Sequence, residues 1–349
     1  MIREAITKLI DGQNLTCGES EVVMTEIMEG AATPAQMAGF LTALRAKGET
    51  ADEITGCAQV MRDKAIPVQP RRTDIVDTAG TGGDGAGTFN ISTTAAFVIA
   101  GAGLGVAKHG NRAVSGQSGS ADLLEALGVN LDLTPVQVAE CIDEVGIGFL
   151  FAQKLHPAMR NVGPVRKELG IRTVFNILGP LTNPARTPAQ IVGVYDERLT
   201  KIVATVLHAL GVRAAFVFHS ADGLDELTTT CVNRIARFDN GVIYEEDLDA
   251  GRLGLPRASR DDLRGGLPAA NAVITQSILS GTERGPRRDV VVLNAAAALV
   301  VGGKADDLFQ GLLQANRAID SGQALAALDG LVVKSQSVKA QDHSRESAT

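Results

Sequence analysis

The sequence predicts an α/β protein with a small all-helical domain and a larger domain whose mostly parallel central sheet is flanked by helices. Residues 1–66 carry apolar side chains at helical spacing only, whereas from Thr73 onward short apolar runs alternate with helical segments. Such alternation is typical of parallel sheets, because each parallel strand pair needs a long crossover. The length of 349 residues also fits two domains of about 150 residues each.

Four helices are predicted in the N-terminal part. Apolar stripes in residues 2–10 and 22–28 mark the first two. The third begins at Thr33-Pro34, with proline in its first turn. The fourth follows Thr50, and Glu53 stands at the capping-box position three residues later.

Seven strands and several helices are predicted beyond a linker at residues 66–70. The strands are expected at 74–77, 105–108, 148–151, 190–194, 214–219, 234–238 and 242–244, with helices at 93–102, 123–127, 135–145 and 199–210. Residues 157–178 have a helical pattern and are expected to rejoin the first helices. About four further helices follow Asn271, and the polar residues 334–349 are expected to be a frayed tail. The predicted domains are therefore 1–70 with roughly 160–185, and 71–159 with 186–333.

Composition and charge exclude several classes of protein. A net charge of −7 and only 3% aromatic residues argue against a nucleic-acid partner. The four cysteines are far apart and form no C-x-x-C pair, which disfavours zinc clusters and disulfide frameworks. No signal peptide and no apolar run of about 18 residues is present, so we expect a cytoplasmic protein without membrane association.

The first candidate ligand loop is the glycine-rich segment 77–85, directly after a predicted strand. Its glycines allow close backbone approach, and residues 90–93 then open a helix whose N-terminal N–H groups favour anions. Gly80, Gly82 and Gly85 also match the dinucleotide fingerprint, which requires an acidic residue about 20 positions later. Residues 85–121 contain no Asp or Glu, so a phosphate or pyrophosphate ligand is favoured over a ribose diol.

Three further segments carry charged or hydroxyl side chains. Residues 108–122 contain Lys108 and Arg112 at a predicted strand end, where open α/β sheets place ligands. Asp225 and Glu226 are adjacent and offer hard oxygens to magnesium, although an acidic turn is the commoner meaning of such a pair. Residues 156–170 include Arg160, Arg166 and Lys167, and one inward-facing cation there could pair with a carboxylate; the sequence leaves open which one.

Together these segments resemble one family. The stretches DTAGTGGDG with NIST, KHGNRAVSG with SGSADLLEALG, HPAMRNVGPVRKELGIRTVFNILGPLTNPA, and DGLDEL closely resemble the anthranilate phosphoribosyltransferases of tryptophan biosynthesis. The resemblance extends from residue 2 to residue 333 in the same order. It implies transfer of the phosphoribosyl group of 5-phosphoribosyl 1-pyrophosphate (PRPP) to anthranilate. It also implies one or two magnesium ions, a PRPP site between the domains, and a homodimer formed through the helical domain.

The resemblance also implies roles for individual residues. The implied PRPP contacts are Gly80, Gly83, Asp84, Thr88, Asn90, Ile91, Ser92, Thr93, Lys108, His109, Gly110, Asn111, Arg112, Ala113, Val114, Ser115, Gly116 and Ser120. The implied anthranilate contacts are Gly80, His109, Asn111, Arg166 and Pro180, and the implied magnesium ligands are Ser92, Asp225 and Glu226. No residue is assigned as a catalytic acid or base. Gln117 departs from the family, since many members have Lys or Arg there.

Two alternative functions are considered. A pyrimidine nucleoside phosphorylase of similar architecture would need one phosphate pocket and no metal pair, so Asp225 and Glu226 count against it. A non-enzymatic relative that binds nucleic acid is disfavoured by the intact phosphate loops and the net charge of −7.

Overall fold

The computed structural model describes residues 1–113, 116–239 and 241–346. Four helices open the chain, as predicted: α1 (Ile2–Ile10), α2 (Cys17–Met28), α3 (Pro34–Lys47) and α4 (Ala51–Lys64). Thr33 and Thr50 accept a backbone N–H from the third helical residue, and the predicted capping box of Thr50 with Glu53 is confirmed. Glu53 is fully buried and also accepts from the Leu15 amide at 2.9 Å, so it ties α4 to the segment before α2.

Seven strands form one sheet in the order β3-β2-β1-β4-β5-β6-β7. They are β1 (Ile75–Gly80), β2 (Gly105–Gly110), β3 (Ile147–Phe151), β4 (Ala189–Gly193), β5 (Ala214–Ser220), β6 (Val232–Asp239) and β7 (Val242–Asp249). The pairs from β3 through β5 are parallel, whereas β5 with β6 and β6 with β7 pair antiparallel. The prediction of a mostly parallel sheet is confirmed. Consequently β1, β2, β4 and β5 all end at the same edge of the sheet.

Eleven helices follow the first strand in the described part of the chain. They are α5 (Ile91–Gly101), α6 (Ser120–Ala126), α7 (Pro135–Val145), α8 (Ala152–Leu155), α9 (Gly163–Leu169), α10 (Phe175–Leu181), α11 (Leu199–Ala209), α12 (Pro268–Leu279), α13 (Pro286–Val301), α14 (Leu308–Asp320) and α15 (Gln323–Glu346). Helices α5 and α13 are apolar nearly all round and lie in the main core against the sheet. Helices α9 and α10 share a second core with α1–α4 and with the α11 face of the sheet.

Residues 334–349 were expected to be a frayed polar tail, but α15 continues to Glu346. The first polar side chains of this stretch, at residues 334–336, bind the larger domain. The Ser335 hydroxyl accepts from the Asn130 amide at 3.0 Å, and Gln336 donates to the Gly128 carbonyl at 2.9 Å. Lys334 pairs with Glu144 at 2.8 Å. A polar composition therefore concealed a docked helix; residues 347–349 lie outside the described residues.

Candidate active site

The glycine-rich loop follows β1 at the edge of the sheet where the parallel strands end. Gly82, Gly83, Gly85 and Gly87 all have φ between 65° and 75°. A side chain would be strained in that left-handed conformation, so the glycines are required by the backbone path of the loop. This loop of residues 81–87 leads into the start of α5, as the sequence predicted.

Asp225 lies directly on the ends of β1 and β4. Its Oδ2 atom accepts a hydrogen bond from the Gly82 amide at 2.6 Å. A Cβ atom at Gly80 would overlap the Asp225 carboxylate, and one at Gly193 would overlap its carbonyl oxygen. Both glycines are therefore needed to admit the acidic segment. The sequence analysis identified Gly80 but missed Gly193, which has no motif around it.

Glu226 lies at the first turn of α5. Its Oε1 atom accepts from the Ser92 amide at 3.1 Å, so the carboxylate occupies the positive end of the helix. Desolvation raises the pKa of Glu226 to about 7, although the Lys108 cation and hydrogen bonds from Ser92 oppose the shift. Desolvation also raises the pKa of Asp225, and repulsion from Asp84 and Glu226 adds to this. The structure thus brings Ser92, Asp84, Asp225 and Glu226 together.

Lys108 provides a buried positive charge beside this acidic group. Its Nζ atom donates to the Thr78 carbonyl, and burial lowers the pKa of the ammonium although Asp77 and Glu226 attract it. Asp77 is held by the His109 amide at 3.1 Å and by the Asn183 amide group at 2.7 Å. A buried lysine whose charge is only partly balanced is suited to receive an anionic group.

Asn90 precedes α5, but its side chain does not cap the helix. Its amide donates to the Ser118 carbonyl at 3.0 Å, and its oxygen accepts from Asn271 at 2.9 Å. Ile91 and Thr93 are buried, and the Ile91 amide already donates to the Phe89 carbonyl at 2.8 Å. Thr88 pairs with Arg264 in an isolated β-bridge, which closes the far side of the loop.

The two ends of the second loop, at residues 110–113 and 118–120, lie against β3 and α6. Ser120 Oγ donates to the Asn111 carbonyl at 3.2 Å, and the Ala113 amide donates to Asp122 at 2.9 Å. The Arg112 guanidinium binds Asp122 at 3.0 Å and Glu125 at 2.8 Å, so its charge is already balanced. Gly116 and Gln117 are exposed, and Val114 and Ser115 lie outside the described residues.

Arg166 is the inward-facing cation of the fourth segment. It is half-buried, with its guanidinium 5.1 Å from the centre of the Phe175 ring, whereas Arg160 and Lys167 are exposed. Burial lowers the pKa of Arg166. The structure therefore resolves the choice among the three that the sequence left open.

Helix α10 lies against the end of β2. The His109 Nδ1 atom is 3.1 Å from the Gly179 carbonyl oxygen, and the neighbouring Pro180 carbonyl accepts from Gln190 at 3.2 Å. The segment before α10 also reaches the glycine-rich loop, because Arg172 donates to the Gly83 carbonyl while stacking 4.2 Å from the centre of the Tyr195 ring. The sequence analysis missed Arg172, and no pattern around it signals this contact.

The side chains alone form an incomplete metal site. Among residues 1–113, 116–239 and 241–346, no group of three or more His, Cys, Asp and Glu side chains is placed to hold an ion. Two carboxylates and a hydroxyl are what magnesium uses when substrate phosphates supply the remaining ligands. A separate cavity of about 520 Å³, lined by residues including Asp74, His208 and Arg213, lies at the opposite edge of the sheet and is not part of this site.

Two family models match the chain. The model for the helical bundle domain of the glycosyl transferase family matches residues 3–65. The model for the a/b domain of the glycosyl transferase family matches residues 72–325. The chain is therefore a member of this glycosyltransferase class, as its fold and strand-end loops indicate. In the part that the structure describes, no helix combines the length and apolar character needed to cross a membrane.

Similar proteins identify the family more closely. An anthranilate phosphoribosyltransferase of Moorella thermoacetica is 56% identical over 332 residues, which are 95% of this chain and 98% of the relative. The crystal structure of the Thermus thermophilus anthranilate phosphoribosyltransferase has a TM-score of 0.89 at 43% identity, covering 95% of this chain and 99% of that one. The Saccharomyces cerevisiae enzyme in complex with PRPP and Mg has a TM-score of 0.87 at 28% identity, covering 96% and 98%. The chain belongs to the anthranilate phosphoribosyltransferase family.

Proposed function

We propose that this chain transfers the phosphoribosyl group of PRPP to the amine of anthranilate, giving N-(5-phosphoribosyl)anthranilate and pyrophosphate in the second step of tryptophan biosynthesis from chorismate. The observation that carries the proposal is the meeting of two anion-binding loops and an acidic pair at one sheet edge. The half-buried Arg166 is on the adjoining helical segment. The names of close relatives support the same reaction.

PRPP is expected to bind along the ends of β1 and β2. The N–H groups of the glycine-rich loop and the Thr93 amide in the first turn of α5 would bind its diphosphate, with Lys108 as the buried cation. The Ile91 and Ser92 amides already donate to Phe89 and Glu226. Backbone groups of residues 110–116 would form the second wall. Arg112 would act mainly through its backbone, because Asp122 and Glu125 already engage its guanidinium.

The acidic pair fits magnesium. Asp225 and Glu226 with the Ser92 hydroxyl offer hard oxygens to the ion. The pKa values of both carboxyl groups are raised, so a bound positive ion would stabilise their charged forms. When bound, magnesium supplies positive charge that stabilises the departing pyrophosphate. We propose one or two ions, held by these three residues and by the diphosphate.

The chemistry requires mainly orientation and charge stabilisation from this chain. The bond between ribose C1 and the pyrophosphate oxygen breaks, and its electron pair leaves on the pyrophosphate. The neutral anthranilate nitrogen bonds to C1 and releases a proton to solvent, so no strong base is needed. Lys108 and the N–H groups of α5 stabilise the growing negative charge, and holding the amine in line with C1 supplies much of the acceleration.

Anthranilate is expected to bind between α9, α10 and the end of β2. Arg166 would pair with its carboxylate, since a guanidinium makes two parallel hydrogen bonds to such a group. Asn111, His109, Pro180 and the backbone near Gly80 would form the rest of the pocket. The hydrogen bond between His109 Nδ1 and the Gly179 carbonyl joins β2 to α10 and supports a pocket between these elements.

We also propose a cytoplasmic homodimer in which residues 1–70 with roughly 160–185 form the dimerisation and anthranilate side. Residues 71–159 and 186–333 would bind PRPP. The exposed apolar side chains of Met1, Ile10 and Val22, on the first two helices or beside them, support an interface there. Light scattering of the intact protein tests the assembly.

The decay of anthranilate fluorescence tests the reaction. We expect decay only when the protein, PRPP and magnesium are all present, with pyrophosphate released in equal amount. No decay, from protein that PRPP still protects against heat, would mean that the loops bind PRPP but that the acceptor is not anthranilate. Phosphorolysis of a pyrimidine nucleoside would instead favour the nucleoside phosphorylase alternative.

A further inference from the structure

Two buried histidines contact each other beside α10. His109 is near the end of β2, and His156 follows α8; their exposed fractions are 8% and 6%. Their Nε2 atoms are 3.2 Å apart, and the ring planes are inclined by 52° with centroids 5.0 Å apart.

The hydrogen-bond partners of His109 determine its protonation. The Gly179 carbonyl oxygen, 3.1 Å from Nδ1, can only accept, so Nδ1 carries the hydrogen. In a neutral ring Nε2 is then an acceptor, and His156 must donate to it from its own Nε2 atom. His156 therefore donates to His109, and His109 in turn donates to the Gly179 carbonyl. Both ring nitrogens of His109 are engaged in hydrogen bonds.

The surroundings keep both rings neutral. Desolvation lowers the pKa of His109 to about 3, and the neighbouring His156 and the Lys108 ammonium add to the effect. Desolvation lowers the pKa of His156 to about 4. The nearby Asp77 carboxylate is bound by the His109 backbone amide and does not pair with either imidazole.

We propose that His156 is a positioning residue that occupies the Nε2 atom of His109 and fixes its ring plane. His109, whose Nδ1–H is held by the Gly179 carbonyl, then presents an uncharged ring to the anthranilate pocket. This inference rests on the proposed function. With both nitrogens of His109 occupied, the ring neither binds the anthranilate carboxylate nor accepts the amine proton. Arg166 is then the cation available to the carboxylate in this wall, which sets the direction in which the amine points.

Three substitutions at His156 separate a hydrogen-bonding role from a packing role. His156→Gln retains an N–H donor toward His109, His156→Leu removes it, and His156→Glu offers an acceptor that would favour a charged His109. We expect the KM for anthranilate to rise roughly threefold to tenfold in His156→Leu and more in His156→Glu, with near-normal values in His156→Gln. The KM for PRPP should stay within about twofold in all three, because no contact to the phosphate loops is lost. His208→Gln, at an exposed histidine on the opposite edge, is the matched control.

The tautomer itself is measured by ¹⁵N NMR of histidine-labelled protein, which has only five histidines. We expect the Nδ1–H tautomer of His109 in the wild type and in His156→Gln. In His156→Leu the Gly179 carbonyl should keep the hydrogen on Nδ1, while the His109 Nε2 atom loses its hydrogen bond and its ¹⁵N resonance moves downfield. An Nε2–H or charged His109 in the wild type at neutral pH would overturn the proposal, as would equal KM values in the Gln and Leu variants. Because the spectrum needs no turnover, it tests the histidine pair even if anthranilate proves not to be the acceptor.

Discussion

The carboxylate of Asp225 and the amide of Gly82 are joined by a 2.6 Å hydrogen bond across 143 residues of sequence. This contact places an acidic side chain of the β5–β6 connection directly on the glycine-rich loop that follows β1. Glu226 makes the equivalent contact with the start of α5. The acidic pair and the phosphate loop are therefore one structural unit.

Neutralising the acidic pair should stabilise the ligand-free protein and abolish its activity. Asp225→Asn with Glu226→Gln removes repulsion among desolvated carboxylates, so we expect a higher melting temperature. Loss of the hard oxygens should remove magnesium-dependent turnover. Calorimetry and the fluorescence assay measure the two effects. Unchanged activity would show that these carboxylates are not magnesium ligands.

The gain in folding stability from Glu226→Gln should increase as the pH rises from 5 to 8. The folded pKa of Glu226 is raised from 4.5 to about 7, so between these values the native state binds more protons than the unfolded state. The contribution of this carboxyl to stability is present below pH 4.5 and is lost as the pH rises toward 7. We expect the variant to gain roughly 2–3 kcal/mol relative to the wild type between pH 5 and pH 8 in metal-free buffer. A constant difference in the free energy of unfolding across this range would contradict the assignment.

Gly193→Ala should damage the site although Gly193 lies outside every sequence motif. Its added Cβ would overlap the Asp225 backbone, which must then move off the end of β4. We expect loss of most PRPP-dependent turnover and a destabilisation of about 1–3 kcal/mol. Gly18→Ala, where a Cβ would meet open space, is the control and should retain activity. Full activity in Gly193→Ala would show that the Asp225 placement is not required.

Arg166→Ala should weaken anthranilate binding far more than PRPP binding. Loss of a charged hydrogen-bonding partner is expected to raise the Kd of anthranilate about tenfold or more. Separate titrations measure the Kd of anthranilate and the Kd of PRPP for the variant. Lys167→Ala, at an exposed neighbouring position, is the control. Equal losses for both ligands would refute the carboxylate role.

Arg172→Ala should weaken PRPP binding, because Arg172 holds the Gly83 carbonyl while its guanidinium stacks on Tyr195. Because this contact is exposed, we expect its loss to raise the KM for PRPP by about threefold to tenfold. Arg198→Ala, an exposed arginine bound only to Asp196 in the described part of the chain, should leave that KM unchanged. Identical KM values in the two variants would exclude Arg172 as a support of the loop.

Local patterns were sufficient to predict the strands, most helices and the positions of the two loops that follow β1 and β2. The glycines after β1 and the capping box of Thr50 are determined by neighbouring residues, so their roles are visible in the sequence. The hydrogen-bond partners of Asn90 are not visible in the sequence, since Asn271 lies 181 residues away. The docking of α15 was missed for the same reason, because Ser335 binds Asn130 across 205 residues.

The choice among the cations of the fourth segment also needed the three-dimensional structure. Helical spacing leaves Arg160, Arg166 and Lys167 equivalent, and only packing against Phe175 distinguishes Arg166. Likewise, the pairing of Arg112 with Asp122 and Glu125, 10 and 13 residues further along the chain, is visible only in the structure.

Calorimetric titration of PRPP into the wild type and into the Asp225→Asn, Glu226→Gln variant, with and without magnesium, tests the central claim most directly. We predict tight binding to the wild type that depends on magnesium, and weak binding to the variant that magnesium does not improve. PRPP binding that is equally tight and equally magnesium-dependent in both proteins would contradict the assignment of this sheet edge as the magnesium–PRPP site.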